Sequence, residues 1–205
     1  MNPAYEALRR LRDGNRQFVE GKLRVLENPT AFDKDEQAPF AVILGCSDSR
    51  VPVEIVFNQG FGDLFVIRVA GNIVAPSQIG SIEFAVEKFG TPLVVVLGHT
   101  HCGAVSTTLD ELQRPGTPSR NLRSIVDRVR PSVQGLLSTE LRESPELLLR
   151  AAVRTNVSIA ANILRHSTEA LERLVESGSL LIVGAEYSLE TGQVDFFDGV
   201  PPDMD

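Results

Sequence analysis

Hydrophobic residues fall into two patterns along the chain, short unbroken runs and longer stripes at helical spacing. The unbroken runs cover residues 40–44, 64–69, 93–97 and 180–183. A strand buried on both faces needs such uninterrupted apolar character, so the runs predict a parallel sheet. The stripes between them predict helices. This alternation indicates an α/β fold, with a mostly parallel central sheet flanked by helices.

Two stripes in the first half of the chain predict amphipathic helices. The first covers about residues 3 to 20 and carries apolar side chains three and four positions apart. Its apolar face is expected to dock, and a second subunit is one candidate surface. The other stripe, from Ile79 to Phe89, ends at Gly90, a residue typical of a helix C-terminus. We interpret it as a crossover helix between strands.

Two further helices are predicted downstream. An apolar stripe over residues 122–133 contains Pro131, which is expected to kink or end that helix. Ser144 is followed by a proline and an acid, the order of residues that begins a helix. From there the helical spacing predicts one long helix that continues to Gly178.

The whole chain, 1–205, is interpreted as a single domain. Residues 1–36 would form an amino-terminal helix and an extended arm, and residues 37–197 the α/β core. Within that core, 187–197 alternates around a Thr-Gly pair and predicts an edge hairpin. Residues 198–205 are expected to be a frayed, acidic tail.

Composition narrows the classes of function. The net charge of −7 and the dispersed basic residues disfavour a nucleic-acid partner. The longest apolar runs fall far short of the roughly 20 residues that cross a bilayer, and the amino terminus lacks the pattern of an export signal. We therefore expect a cytoplasmic protein without a membrane partner. Its two cysteines are poor material for a disulfide framework, which favours thiolate chemistry or metal binding.

Two polar clusters directly follow predicted strands, where ligand sites of α/β sheets lie. Cys46 follows the first strand, and His99 and Cys102 follow the third. Two thiolates and one imidazole are donors that suit Zn²⁺. A chance grouping, a structural disulfide or inert core thiols would explain each cluster alone. Because both clusters come at strand ends and use all the cysteines, we favour a zinc site.

Asp48 and Arg50 lie beside Cys46 and bear on the fourth zinc position. Asp48 could bind the metal directly and close the site. Alternatively, Arg50 could hold the carboxylate through two parallel hydrogen bonds, which would leave the position for water. An ordinary surface ion pair is the other interpretation. His101 is interpreted as solvated or structural, with a proton relay as the alternative, and His166 as structural.

Four segments together resemble β-class carbonic anhydrases, and the resemblance covers nearly the whole chain. They are Gly-Cys-Ser-Asp-Ser-Arg-Val-Pro at 45–52, Phe-Val-Ile-Arg-Val-Ala-Gly-Asn at 65–72, Gly-Ser-Ile-Glu-Phe-Ala-Val at 80–86 and Val-Leu-Gly-His-Thr-His-Cys-Gly-Ala at 96–104. The resemblance implies zinc bound by Cys46, His99 and Cys102, with Asp48 and Arg50 as the catalytic dyad. The implied reaction is attack of zinc-bound hydroxide on carbon dioxide to give bicarbonate.

The resemblance also implies the substrate-binding residues and the assembly. Gln37 matches the glutamine that hydrogen-bonds the substrate oxygen, and Phe65, Ala70 and Phe84 match positions that line a small apolar pocket. Core packing explains the last three equally well. Family members form dimers that combine pocket residues from both subunits, so a homodimer or a dimer of dimers is expected. Gln37 favours the open zinc site, in which Asp48 is not a ligand.

Three questions stay open, one about an inhibitory site and two about rival functions. Arg68 and Tyr187 resemble the branch of the family with an inhibitory bicarbonate site, but Ile43 stands where that branch has tryptophan. A rival on the same fold would hydrolyse carbonyl sulfide or carbon disulfide. Another would be a non-catalytic, zinc-stabilised binding module in which Asp48 permanently closes the site.

Overall fold

The computed structural model describes residues 2–24, 37–114, 116 and 119–204. Most of the predicted extended arm therefore lies outside the described residues. Seven α-helices and five strands are described in this part of the chain. They are α1 (Pro3–Val19), β1 (Ala41–Gly45), α2 (Val53–Val56), β2 (Leu64–Arg68), α3 (Pro76–Phe89), β3 (Leu93–His99), α4 (Gly103–Gln113), α5 (Arg120–Val133), α6 (Pro145–Arg165), α7 (Glu169–Glu176), β4 (Leu181–Tyr187) and β5 (Val194–Asp198).

The strands form one sheet in the order β2-β1-β3-β4-β5. The first four are parallel, and β5 pairs antiparallel with β4 at the edge. This confirms the predicted fold class. The edge hairpin is present, but its first arm is β4, which continues to Tyr187, rather than a separate strand within 187–197. Because Gly45 at the end of β1 pairs with Leu97 of β3, the residues that follow both strands meet at one edge of the sheet.

Successive residues of the central strands point to opposite faces and bury each face under different helices. Ala41 and Ile43 of β1 pack in a cluster with Leu8 and Leu11 of α1. Residues on the opposite face of the sheet, such as Val42 and Leu44, pack in a cluster with side chains of α3 and α6. These two layers explain why the strands are continuous apolar runs rather than alternating ones.

The apolar face of helix α1 is buried within its own chain. Ala4, Leu8 and Leu11 are fully buried, and the latter two lie in the core of their own chain. Asn15 of the same helix is also buried, and its amide donates to the carbonyl oxygens of Val56 and Gly192. The expectation that this face could pack on a neighbouring subunit is therefore wrong for this structure.

The long helix predicted from Ser144 to Gly178 is two helices. Helix α6 ends at Arg165, with His166 as its cap residue, and α7 begins after Thr168. Thr168 has an extended backbone, which breaks the helix, and its side chain accepts a hydrogen bond from the backbone N–H of Leu171, which caps the start of α7. Spacing alone missed this break because apolar residues on both sides keep a similar period.

Helix α6 is, among the described helices, the one whose length and apolar composition would suffice to cross a membrane. Its buried residues face the core, where several of them lie in clusters with β3 and β4. The apolar composition is therefore that of a central core helix.

The carboxyl-terminal segment is packed rather than frayed over residues 198–204. Val200 and Met204 pack against the core cluster that contains α1. Asp198 belongs to β5 and forms an ion pair with Arg165 at the end of α6. The acidic composition suggested a solvated tail, but these apolar residues and one paired acid attach the segment to the fold.

Candidate metal centre

Three potential metal ligands meet at the carboxyl ends of β1 and β3. The ligand atoms of Cys46, His99 and Cys102 all lie within 4.8 Å of one another, and all three residues are buried. The Nδ1 atom of His99 lies 2.8 Å from the carbonyl oxygen of Thr100. That contact fixes Nδ1 as the protonated nitrogen and leaves the lone pair of Nε2 available.

The donor set fits a zinc ion. The Nε2 atom of His99 is buried and has no hydrogen-bond partner in the part of the chain that the structure describes. Buried polar atoms without a hydrogen-bond partner are uncommon in folded proteins, and a bound ion is one recognised reason for them. An imidazole nitrogen and two sulfurs within 4.8 Å are the donor types and spacing that a tetrahedral zinc site uses.

A tight turn brings the third ligand back to the first two. His101 adopts a left-handed backbone conformation, with φ of 56°, between His99 and Cys102. A non-glycine residue in this region is sterically costly, so the surrounding contacts must hold it. Glu190 of the β4–β5 hairpin supplies such contacts, because its carboxylate lies 2.8 Å from Thr100 Oγ1 and 2.6 Å from His101 Nε2.

The pKa values of the two thiols move in opposite directions. A hydrogen bond from Cys102 lowers the pKa of Cys46, although burial of Cys46 acts in the opposite direction. The same bond and burial raise the pKa of Cys102. A bound zinc ion requires both sulfurs to lose their protons, so metal binding to this pair releases a proton.

The Arg50 guanidinium holds the Asp48 carboxylate by two hydrogen bonds. Its Nε lies 3.0 Å from Oδ1 and its Nη2 lies 2.8 Å from Oδ2 of the carboxylate. These bonds keep the pKa of Asp48 well below its usual range, so the group is ionised at neutral pH. Asp48 Oδ2 lies 3.8 Å from His99 Nε2, which places the carboxylate beside the three ligand atoms.

Arg68 fastens the loop that carries Cys46 and Asp48. Its guanidinium donates to the carbonyl oxygen of Cys46 at 3.1 Å and to that of Asp48 at 2.5 Å. Tyr187 is buried in the core cluster, and its ring contacts that of Phe18. In this structure both residues therefore have structural partners.

Comparison with known proteins decides the family. A family model described as "Carbonic anhydrase" matches residues 41–194. A carbonic anhydrase of Mycolicibacterium smegmatis is 39% identical over 193 residues, which span 92% of this chain and 91% of the relative. The chain belongs to the carbonic anhydrase family.

Solved structures of carbonic anhydrases place it in the β class. A β-carbonic anhydrase of Aspergillus fumigatus superimposes with a TM-score of 0.71 and 28% identity, covering 82% of this chain and 80% of that one. One of two tetrameric β-carbonic anhydrases from Sordaria macrospora gives a TM-score of 0.67 and 25% identity, covering 80% and 82%. The sequence resemblance to this class is confirmed.

Of the residues expected to bind substrate, only Ala70 lies beside the metal centre of its own chain. It precedes Gly71, whose backbone N–H points to the Cys46 sulfur at 3.4 Å. Gln37 precedes β1 and Cys46 follows it, so the five strand residues separate them by roughly 17 Å. A single chain therefore does not bring Gln37 to the metal centre.

The two phenylalanines also lie away from the metal ligands of their own chain. Phe65 pairs with Val42, four residues before Cys46, which puts it roughly 13 Å back along the sheet. The ring of Phe84 on α3 contacts that of Phe65, with 6.3 Å between centroids. These two residues form a separate surface feature of the carbonic anhydrase fold described here.

Sequence reasoning missed residues that support the site without being ligands. Glu190 belongs to no recognised motif, and His101, which its carboxylate contacts, lies 89 positions away in the sequence. Gly71 was seen only as part of a family segment, although its positive φ of 71° matters for the site. Helix α4, which begins directly after Cys102, was also missed, but Val105, Leu109 and Leu112 carry its helical spacing.

Proposed function

We propose that this chain catalyses the reversible hydration of carbon dioxide to bicarbonate and a proton, with Zn²⁺ held by Cys46, His99 and Cys102. The observation that carries the proposal is the meeting of three buried ligand atoms within 4.8 Å beside an Asp48 carboxylate that Arg50 fixes. Family membership supports the same reaction.

Each residue has a defined task in this reaction. Zinc bound by the three ligands would act as a Lewis acid that makes water a nucleophile at neutral pH. Asp48 stays ionised and accepts a hydrogen bond from the attacking water, which orients an oxygen lone pair toward carbon dioxide. Arg50 keeps Asp48 in this position and away from the metal.

The substrate pocket would form between two subunits. Gln37, Phe65 and Phe84 lie too far from the metal ligands of their own chain to contact the same small molecule. The Phe84 side chain is 53% exposed, which is unusual for a large aromatic residue in a core. We propose a homodimer, or a dimer of dimers, that carries these residues to the partner's metal centre. The tetrameric relatives from Sordaria macrospora support such an assembly.

The rival of a closed structural zinc site receives no support from the Asp48 contacts. A carboxylate held at two points by Arg50 is already satisfied by a strong charged pair. Hydrolysis of carbonyl sulfide or carbon disulfide uses linear apolar molecules like carbon dioxide, so the assay must separate these reactions.

The test combines metal analysis with stopped-flow kinetics on the purified protein. We expect one zinc per chain and rapid hydration of carbon dioxide that a metal chelator abolishes and added zinc restores. Release of sulfide from carbonyl sulfide or carbon disulfide is measured in parallel and is expected to be much slower. Zinc-loaded protein without carbon dioxide turnover would overturn the proposal, and rapid sulfide release would favour the rival reaction.

A further inference from the structure

A buried polar cluster connects helices α5 and α6 to the segment after β2. Asn156 of α6 and Ser132 of α5 are each 3% exposed. The Asn156 amide nitrogen donates to the carbonyl oxygen of Gly71 at 2.9 Å, and its Oδ1 accepts from the Ser132 hydroxyl at 3.2 Å. Burying an amide among apolar side chains is costly unless it is paired, and here both of its polar atoms are paired.

The other side of Gly71 faces a zinc ligand. Its backbone N–H donates to the Sγ atom of Cys46 at 3.4 Å. Gly71 has φ of 71°, and a Cβ atom there would lie 3.1 Å from the Cβ of Ala104 and 3.4 Å from a methyl of Val129. Glycine meets both demands, for space and for positive φ, but it is also the residue with the most backbone freedom. Contacts on its two peptide groups therefore restrict its rotation and with it the direction of its N–H, and the bond from the Asn72 N–H to the Val69 carbonyl oxygen is one of them.

We propose that Asn156 is a positioning residue for the zinc site, which anchors the Gly71 carbonyl so that the Gly71 N–H stays aimed at the Cys46 sulfur. The inference rests on the zinc ligation proposed above. The N–H bond fixes the position of the Cys46 side chain, as partners of metal ligands commonly do. Ser132 orients the Asn156 amide through its hydroxyl group.

The packing around Asn156 supports this role over a general structural one. Its neighbours on the same face of α6 are apolar, and Val153 and Ala160, one turn before and one turn after it, are both buried. A leucine of similar volume would serve that packing without any hydrogen bond. The donor of Asn156 reaches only the Gly71 carbonyl among the contacts that the structure describes.

The experiment measures zinc release from the holoenzyme to an excess of a chromogenic chelator. We expect Asn156→Leu to release zinc roughly 10- to 100-fold faster than the wild type. The control is Leu164→Ala, which removes fully buried side-chain atoms two turns further along the same helix. That variant should unfold at a lower urea concentration but release zinc at the wild-type rate.

A second readout follows the Cys46 sulfur directly. In cobalt-substituted protein, the sulfur-to-cobalt charge-transfer band should shift in Asn156→Leu and stay in place in Leu164→Ala. Should Asn156→Leu fail to fold, Ser132→Ala provides the decision, with zinc release expected to rise roughly threefold for loss of one neutral hydrogen bond.

The outcomes separate this inference from the proposed function. Zinc release that follows global stability in both helix variants would overturn the role of Asn156, as would wild-type rates in Asn156→Leu or, if that variant is unfolded, in Ser132→Ala. A wild-type protein that binds no zinc would overturn the proposed function instead, before any variant is compared.

Discussion

The metal centre and the aromatic patch formed by Phe65, Phe84 and Phe89 are opposite in construction. Cys46, His99 and Cys102 are at most 5% exposed, and hydrogen bonds from several elements surround them. The patch consists of ring contacts with centroids 5.5 to 6.3 Å apart, and its Phe84 is half exposed. The three metal ligands meet within a single chain, whereas the aromatic patch leaves one ring exposed at the surface of that chain.

The difference places the metal ligands and the residues proposed to bind the substrate in separate regions of one chain. A single chain contains everything needed to bring the three ligands together. The residues proposed to line the carbon dioxide pocket lie elsewhere on that chain and would reach a metal centre only in an assembly. Variants of the first region should therefore change zinc content, and variants of the second should change association and turnover while zinc stays bound.

The largest effect is expected for His99→Ala. Removing the imidazole leaves two sulfurs to hold the ion, so zinc content and carbon dioxide hydration should both fall to background. Elemental analysis and stopped-flow kinetics measure the two quantities. His166→Ala is the matched control, because that exposed histidine pairs with Glu172 at the end of α6. Full zinc occupancy in His99→Ala would contradict the ligand assignment.

Arg50→Lys should lower kcat/KM by about 10- to 100-fold without loss of zinc. A lysine cannot reproduce the two parallel bonds to Asp48, so the carboxylate would lose its fixed orientation. Arg173→Lys, in an exposed pair with Glu169, should leave kcat/KM unchanged. Equal effects of the two substitutions would remove the special role of Arg50.

Phe84→Asp should weaken subunit association and reduce turnover while zinc stays at one per chain. A charge placed in the aromatic patch must be desolvated when a partner covers it. Sedimentation velocity across a range of concentrations measures the association. The control is Ile163→Asp, at a 45% exposed apolar position on α6. An unchanged oligomer in Phe84→Asp would show that the patch is not part of the interface.

The smallest effect concerns Glu190, the brace whose carboxylate contacts Thr100 and His101 in the turn between the metal ligands His99 and Cys102. Hydrogen bonds from Thr100 and Ser188, with a smaller contribution from His101, lower the pKa of Glu190 to about 2. Since the folded state lowers this pKa, the stabilisation is present above the ordinary value of about 4.3 and is lost as the pH falls toward 2. NMR titration of the Glu190 carboxyl group should show this, and Thr100→Val should raise its pKa. A Glu190 that titrates near 4.3 in the wild type would contradict the brace.

Much of the fold could be predicted because local patterns repeat what the tertiary structure requires. The four apolar runs became β1 to β4, and Gly90 ends α3 in a left-handed conformation. The break between α6 and α7 escaped prediction, because the extended backbone and capping bond of Thr168 interrupt a helical spacing that is continuous in the sequence. The docking of α1 on its own sheet was also missed, because an amphipathic face does not specify which surface covers it.

Part of the candidate site could likewise be predicted from the sequence, and part could not. Two thiols and an imidazole at strand ends indicate zinc chemistry, because residue type limits which ions can be bound and parallel strands end at one edge of the sheet. The sequence by itself determined this chemistry and the α/β class. Only the tertiary structure decided that Asn156 reaches Gly71 across 85 positions and that Phe84 stays on the surface. Such contacts depend on how distant segments pack in space, which no local pattern of residues encodes.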